Sequence, residues 1–180
     1  MKYALHRHGS QQGFSLVETL VAITVLLVAI VGPMTIAARG LQSAFYAREQ
    51  VIAFSLAQEG LELIRALRDE NALGGRAWHS GFSVCDNPHG CGLDARGSSA
   101  RNCQSRSNCA LNYDAGALSG ARGFYTYAAG DATPFTRVIR VGRNGDEAEV
   151  VVEVSWDSGL FGGERSVVLQ SRVFNQYDDI

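Results

Sequence analysis

The sequence predicts an α+β chain: one long N-terminal helix, its first half transmembrane, packed on a C-terminal antiparallel sheet of three to four strands. Three observations predict it. From Phe14 to Ala38 the only ionisable side chain is Glu18. From Leu41 to Leu67 apolar residues recur at helical spacing, and from Phe124 onward they recur at strand spacing. The chain has 180 residues and a formal net charge of −2, so bulk charge gives no argument for nucleic-acid binding.

The first element is the apolar run. Twenty-five residues at about 1.5 Å rise each exceed the roughly 30 Å of a bilayer core. Residues 14–38 therefore read as a single membrane span. The preceding MKYALHRHGSQQG carries Lys2 and Arg7 and no acid, which keeps the N-terminus cytoplasmic and exports the C-terminal part. An ordinary secretory signal peptide cut near Ala37 or Ala38 is the competing reading. Its apolar core is typically about 7–15 residues and lacks an acid.

Glu18 is the anomaly. A charge at the centre of a membrane helix costs about 2.5–3.5 kcal/mol on insertion scales, less near an end. A snorkelling interfacial residue is one account; a group awaiting a cation is the other. Gly13 stands immediately before Phe14, four residues ahead of Glu18. Cleavage after Gly13 gives Phe14 an α-amino group with a pKa of roughly 7.7–8, largely protonated. Glu18 of one subunit then pairs with that amine on a neighbour, and an incorrect register leaves a buried charge uncompensated.

The basic leader, Gly13, Phe14, Ser15, Leu16, Glu18 and the apolar run resemble the N-terminal signal of type IV pilins and pseudopilins. The resemblance implies a pilin-like fold and processing after Gly13 by a prepilin peptidase/methyltransferase, with Phe14 as the methylation site. It also implies Glu18 as the assembly contact. The implied partners are other pilin subunits, an inner-membrane assembly platform and, before assembly, membrane lipid. Before assembly the chain would sit in the inner membrane, and afterwards in a cell-surface or periplasmic filament. The resemblance points to a minor pilin, with a type II secretion pseudopilin or a membrane-anchored adhesin that never polymerises as the alternatives.

Residues 39–70 continue the helix as an amphipathic half. Leu41, Phe45, Ile52, Leu56, Leu63 and Leu67 fall on one stripe, which Arg48 and Glu59 interrupt. Glu62 with Arg65, and Arg65 with Asp69, have intrahelical pair spacing. The stripe predicts packing on a sheet of the same chain, with a coiled coil as the alternative. Gly32–Pro33 within the span predicts a kink, either passive or a point of unwinding.

Residues 71–123 read as a Gly/Cys-rich variable loop without apolar period. Its cysteines follow C-x5-C-x11-C-x5-C: Cys85, Cys91, Cys103 and Cys109. In an exported segment two disulfides are the leading reading, with three pairings open. A metal site using His79 and His89 is the alternative, but its spacing is wider than that of usual zinc pairs. Arg96, Arg101 and Arg106 read as solvated residues rather than a nucleic-acid patch.

Residues 124–180 read as the sheet. Ala148, Val150, Val152, Val154 and Trp156 alternate with Glu149, Val151, Glu153 and Ser155. Asn144–Gly145 marks a hairpin before them. After a Gly-rich loop, Val167, Leu169 and Val173 share one side. No nucleophile elbow, P-loop or H-E-x-x-H is present, so a structural rather than catalytic protein is expected, with no cofactor and no metal. Asp146, Glu147 and Asp157 lack calcium-loop spacing.

Overall fold

A computed structural model describes residues 13–95, 97–116, 123–158 and 163–176. The leader ahead of Gly13, and Arg96, lie outside the described residues. The chain divides into two units, Met1–Phe45 and Tyr46–Ile180. One helix, α1 (Leu16–Leu73), contributes to both.

In the first unit every described residue is exposed, including Leu20, Val25, Leu27 and Ile30. The helix is long and apolar enough here to cross a membrane. Its threonine hydroxyls are satisfied internally: Thr19, Thr24 and Thr35 donate to the carbonyls of Leu16, Val21 and Gly32 at 2.7–2.8 Å. Such bonds are needed where no water is present to accept them. Pro33 deprives the carbonyl four residues earlier of its donor, yet the helix runs through it without a break.

In the second unit α1 packs on a seven-stranded antiparallel sheet. The strands are β1 (Cys91–Asp94), β2 (Gly97–Asn102), β3 (Ala110–Asp114), β4 (Phe124–Thr126), β5 (Asp131–Asn144), β6 (Glu147–Asp157) and β7 (Glu164–Phe174). The long strands β5, β6 and β7 form a continuous meander. The other edge of β5 takes two partners in succession: β3 opposite Asp131–Thr136, and β1 opposite Ile139. β4 extends β3, and β2 extends β1.

The sheet is therefore larger than the three or four strands expected. The extra strands β1, β2 and β3 come from the segment read as loop. They are only 4–6 residues long and include GSSARN, so they show no apolar alternation to find. The alternating residues of β6, from Ala148 to Trp156, are all buried as expected. Gly145, at φ 62°, opens a two-residue loop between the paired residues Asn144 and Glu147. Glycine first in the loop, with no positive φ after it, meets the requirement of a type II′ hairpin.

The buried line of α1 differs from the expected leucine stripe. Ala53, Leu56, Ala57, Gly60 and Ile64 face the sheet, while Ile52, Leu63 and Leu67 only flank it. Leu41 and Phe45 lie in the first unit and are exposed. The reason is close approach. A Cβ on Gly60 would stand 2.8 Å from Cγ1 of Val152, so small residues hold the line where the sheet comes nearest. Arg65 pairs with Glu62 as expected and also reaches Ser171, whereas Asp69 pairs with its neighbour Arg68 instead of Arg65.

Candidate functional site

The residues singled out for processing lie at the start of α1. Gly13, Phe14 and Ser15 are outside the helix, which begins at Leu16. The carbonyl of Ser15 accepts the first backbone bond of the helix, from the amide of Thr19 at 3.1 Å. The Gly13–Phe14 bond is thus in exposed, non-helical chain, a form a peptidase can take into its cleft. Phe14 is 80% exposed. Glu18 lies in the first helical turn, where the helix dipole favours a negative charge. That placement lowers the cost of the carboxylate without supplying a counter-ion.

The four cysteines form two short staples, Cys85–Cys91 and Cys103–Cys109. This choice among the three pairings follows from the local path of the chain. A 3-10 turn at Phe82–Val84 carries Cys85 back to the start of β1, and a second at Arg106–Cys109 leads into β3. The first staple is tied to the sheet, because Val141 donates its amide to the carbonyl of Cys85 at 3.1 Å. Cys103 donates its amide to the carbonyl of Gly90, linking the two staples.

With all four sulfurs in disulfides, neither histidine has a thiolate beside it. His79 lies edge-on to Trp78, and the amide of His89 donates to Asn87. Arg101 lies over the ring of Tyr127, and Arg106 opens the second 3-10 turn. The carboxylates near the hairpins are also engaged: Glu147 pairs with Arg172 at 3.0 Å, and Asp146 accepts bonds from Asn175. Among the described residues no three His, Cys, Asp or Glu side chains come together as metal ligands.

One site went unread in the sequence. Arg137 on β5 is fully buried between sheet and helix. Its guanidinium donates to the carbonyl of Leu56 on α1 at 3.2 Å, the carbonyl of Leu93 on β1 at 2.9 Å and the hydroxyl of Tyr127 at 3.1 Å. Glu59 stands 3.4 Å away as its counter-ion. The phenol of Tyr127 in turn donates to the backbone carbonyl of Arg137.

Burial works against the charge of Arg137, but Tyr127 and Glu59 outweigh it and its pKa lies above the ordinary value. Burial pushes the Tyr127 phenol up, and Arg137 offsets only part of that. A buried cation with each guanidinium nitrogen directed at a partner fixes the register of helix against sheet. The signal was present in the sequence. Arg137 shares the parity of Phe135, Ile139 and Val141, the inward set of β5, and Glu59 interrupts the helix stripe at the matching place.

Residues 9–32 match the family described as the prokaryotic N-terminal methylation motif. No curated protein and no solved structure matches the chain. The matched segment contains Gly13, Phe14, Glu18 and most of the apolar run, so the type IV pilin and pseudopilin type of prepilin signal is present. The signal implies a prepilin peptidase and other pilin subunits as kinds of partner, and the apolar helix fits membrane anchoring before assembly. The chain thus carries a prepilin-type signal at its head and a pilin-like arrangement of a long helix packed on an antiparallel sheet behind it, which together support a type IV pilin-like precursor.

Proposed function

We propose that the chain is a minor pilin, a structural subunit on which chemistry is done and which performs none itself. Prepilin peptidase cuts after Gly13 with residues 1–13 on the cytoplasmic side, and Phe14 is then N-methylated. The assembly platform draws the subunit from the inner membrane into a filament. There Glu18 pairs with the charged N-terminus of a neighbour.

The observation that carries this reading is Glu18, the lone ionisable side chain of the apolar run from Phe14 to Ala38, inside the matched motif. Nothing within the apolar run can neutralise it, so the partner must come from outside. A disulfide-stapled insertion of three short strands favours a specialised subunit over a bulk one.

The first experiment is the mass and N-terminal sequence of the mature protein. A chain that begins with N-methylated Phe14 is expected; one that begins near Arg39 would establish a cleaved secretory signal instead. The second is Glu18→Ala in cells that assemble filaments. The variant should accumulate in the membrane fraction and be missing from sheared filaments. Normal incorporation would reject the pairing and leave the anchored, non-polymerising module as the better account.

A further inference from the structure

We propose that the end of the second unit that carries Tyr46 rests on phospholipid headgroups while the subunit awaits assembly, a proposal that builds on the membrane-anchored reading above. The contacts fix which end this is. Along α1, Glu49 accepts a hydrogen bond from Trp156, Leu56 accepts one from Arg137, and Gly60 lies against Val152. In the sheet, Trp156 is opposite Phe135 and Val152 opposite Ile139, with Arg137 between them on β5. Helix numbers and β5 numbers therefore rise together.

The part of β5 before Phe135 extends past Trp156 toward the beginning of the unit. β3 pairs with it there, Tyr113 opposite Asp131, and Tyr125 of β4 lies opposite Tyr113. Four strand residues at about 3.3 Å each put Tyr113 about 13 Å beyond Phe135. Tyr46 follows Arg39, the charge that ends the apolar run, by seven residues. Even a fully extended chain of that length reaches only about 25 Å. The tether therefore holds the Tyr46 end of the unit within about 25 Å of the end of the apolar run.

The side chains there suit that position. Tyr46 and Tyr113 are 39% and 37% exposed. The guanidinium of Arg165 stands 5.6 Å over the ring of Tyr46. Tyr113 meets Tyr125 edge to face at 5.4 Å. Burial raises the Tyr125 pKa, and Arg48 is near enough to oppose it. Tyrosine and arginine each combine an apolar body with a polar head, and tyrosine concentrates where headgroups meet water. Asp131 and Glu164 lie at the same end, so it carries no excess of positive charge. The tyrosine rings, not attraction to anionic lipid, would supply the contact.

The test uses the full chain labelled with 3-fluorotyrosine, in bilayer nanodiscs of phosphatidylethanolamine and phosphatidylglycerol. A fraction of the lipid carries a gadolinium chelate on its headgroup, and single Tyr→Phe variants assign the fluorine resonances. The Tyr46 and Tyr113 lines should be lost and the Tyr127 line, beside Arg137, retained. The same pattern is expected without phosphatidylglycerol. Retention of all three lines in a disc-bound protein would overturn the proposal and leave the anchoring reading intact. Lines that change only as protein density rises, with no effect of gadolinium, would assign the surface to a second copy. Failure of the chain to enter discs would reject both.

Discussion

The two parts of α1 belong to one helix but are made for different surroundings. Before Tyr46 its side chains are mostly apolar, on all sides of the helix, and exposed. After Tyr46 one line of the helix is built of Ala53, Ala57 and Gly60, with Leu56 and Ile64 between and beyond them. A helix apolar all round is suited to lipid or to several neighbours at once, whereas a single stripe suits one fixed surface. The small residues show how close that surface is. The first part thus depends on something outside the chain for its burial, and the second finds it in its own sheet.

The sharpest way to break this contrast is to change the charge in each part separately. Glu18→Ala should abolish incorporation into filaments and leave thermal unfolding of the second unit unchanged. Arg137→Ala should do the opposite first, by unfolding the second unit more readily. It leaves Glu59 and the carbonyls of Leu56 and Leu93 without their donor. Removing one partner of a buried pair costs about 3–5 kcal/mol, while an apolar replacement of similar volume can be nearly neutral. Arg137→Met, made together with Glu59→Gln, should therefore recover much of the loss in denaturant unfolding of the detergent-solubilised chain. A loss under about 1 kcal/mol for Arg137→Ala would show that water replaces the missing donor.

Much of this arrangement could be read from residues, and the exceptions share a cause. The apolar run, the alternation of β6 and the hairpin after Asn144 are periodic or local signals, and each appears where its period places it. The helix stripe was displaced because hydrophobicity marks large residues, whereas close approach at Val152 selects small ones such as Gly60. Arg137 is hard to recognise in the sequence because a charged residue among apolar ones looks like an exposed position until its parity is counted. β1, β2 and β3 were invisible because short, polar strands held by disulfides need little apolar pattern. Within the signal, Gly13, Phe14 and Glu18 were legible together because their order in the chain is itself the signal.

A smaller effect separates the stapled insertion from the rest of the sheet. Each disulfide closes a loop of sequence separation 6. The chain-entropy account gives about 2 kcal/mol for a loop of this size. Cys103→Ser with Cys109→Ser should cost about that much and raise hydrogen exchange mainly in β2 and β3. Cys85→Ser with Cys91→Ser should have a wider effect, since the carbonyl of Cys85 is bonded to Val141 on the central strand. Equal and confined exchange changes in the two double variants would refute that difference. Neither should affect processing at Gly13.

The smallest expected effect is on alkaline stability, and it belongs to the second unit alone. The folded-state pKa of Tyr127 is raised by burial, while in the unfolded chain the phenol titrates near 10. Below that value both states hold the proton, and the contribution of this group to stability is fully present. As pH rises through about 10 the unfolded chain loses the proton first. It then binds fewer protons than the folded chain, so stability falls with pH. Tyr125 is raised in the same direction and adds to the slope. Arg137 is also raised, from an ordinary value already above this window, and so does not act within it. Tyr127→Phe removes the titrating group but also takes an acceptor from the guanidinium of Arg137. The variant should therefore start from a lower melting temperature and lose less of it between about pH 9 and pH 11. A parent chain and variant with parallel slopes would show that the phenol of Tyr127 is not the group that titrates.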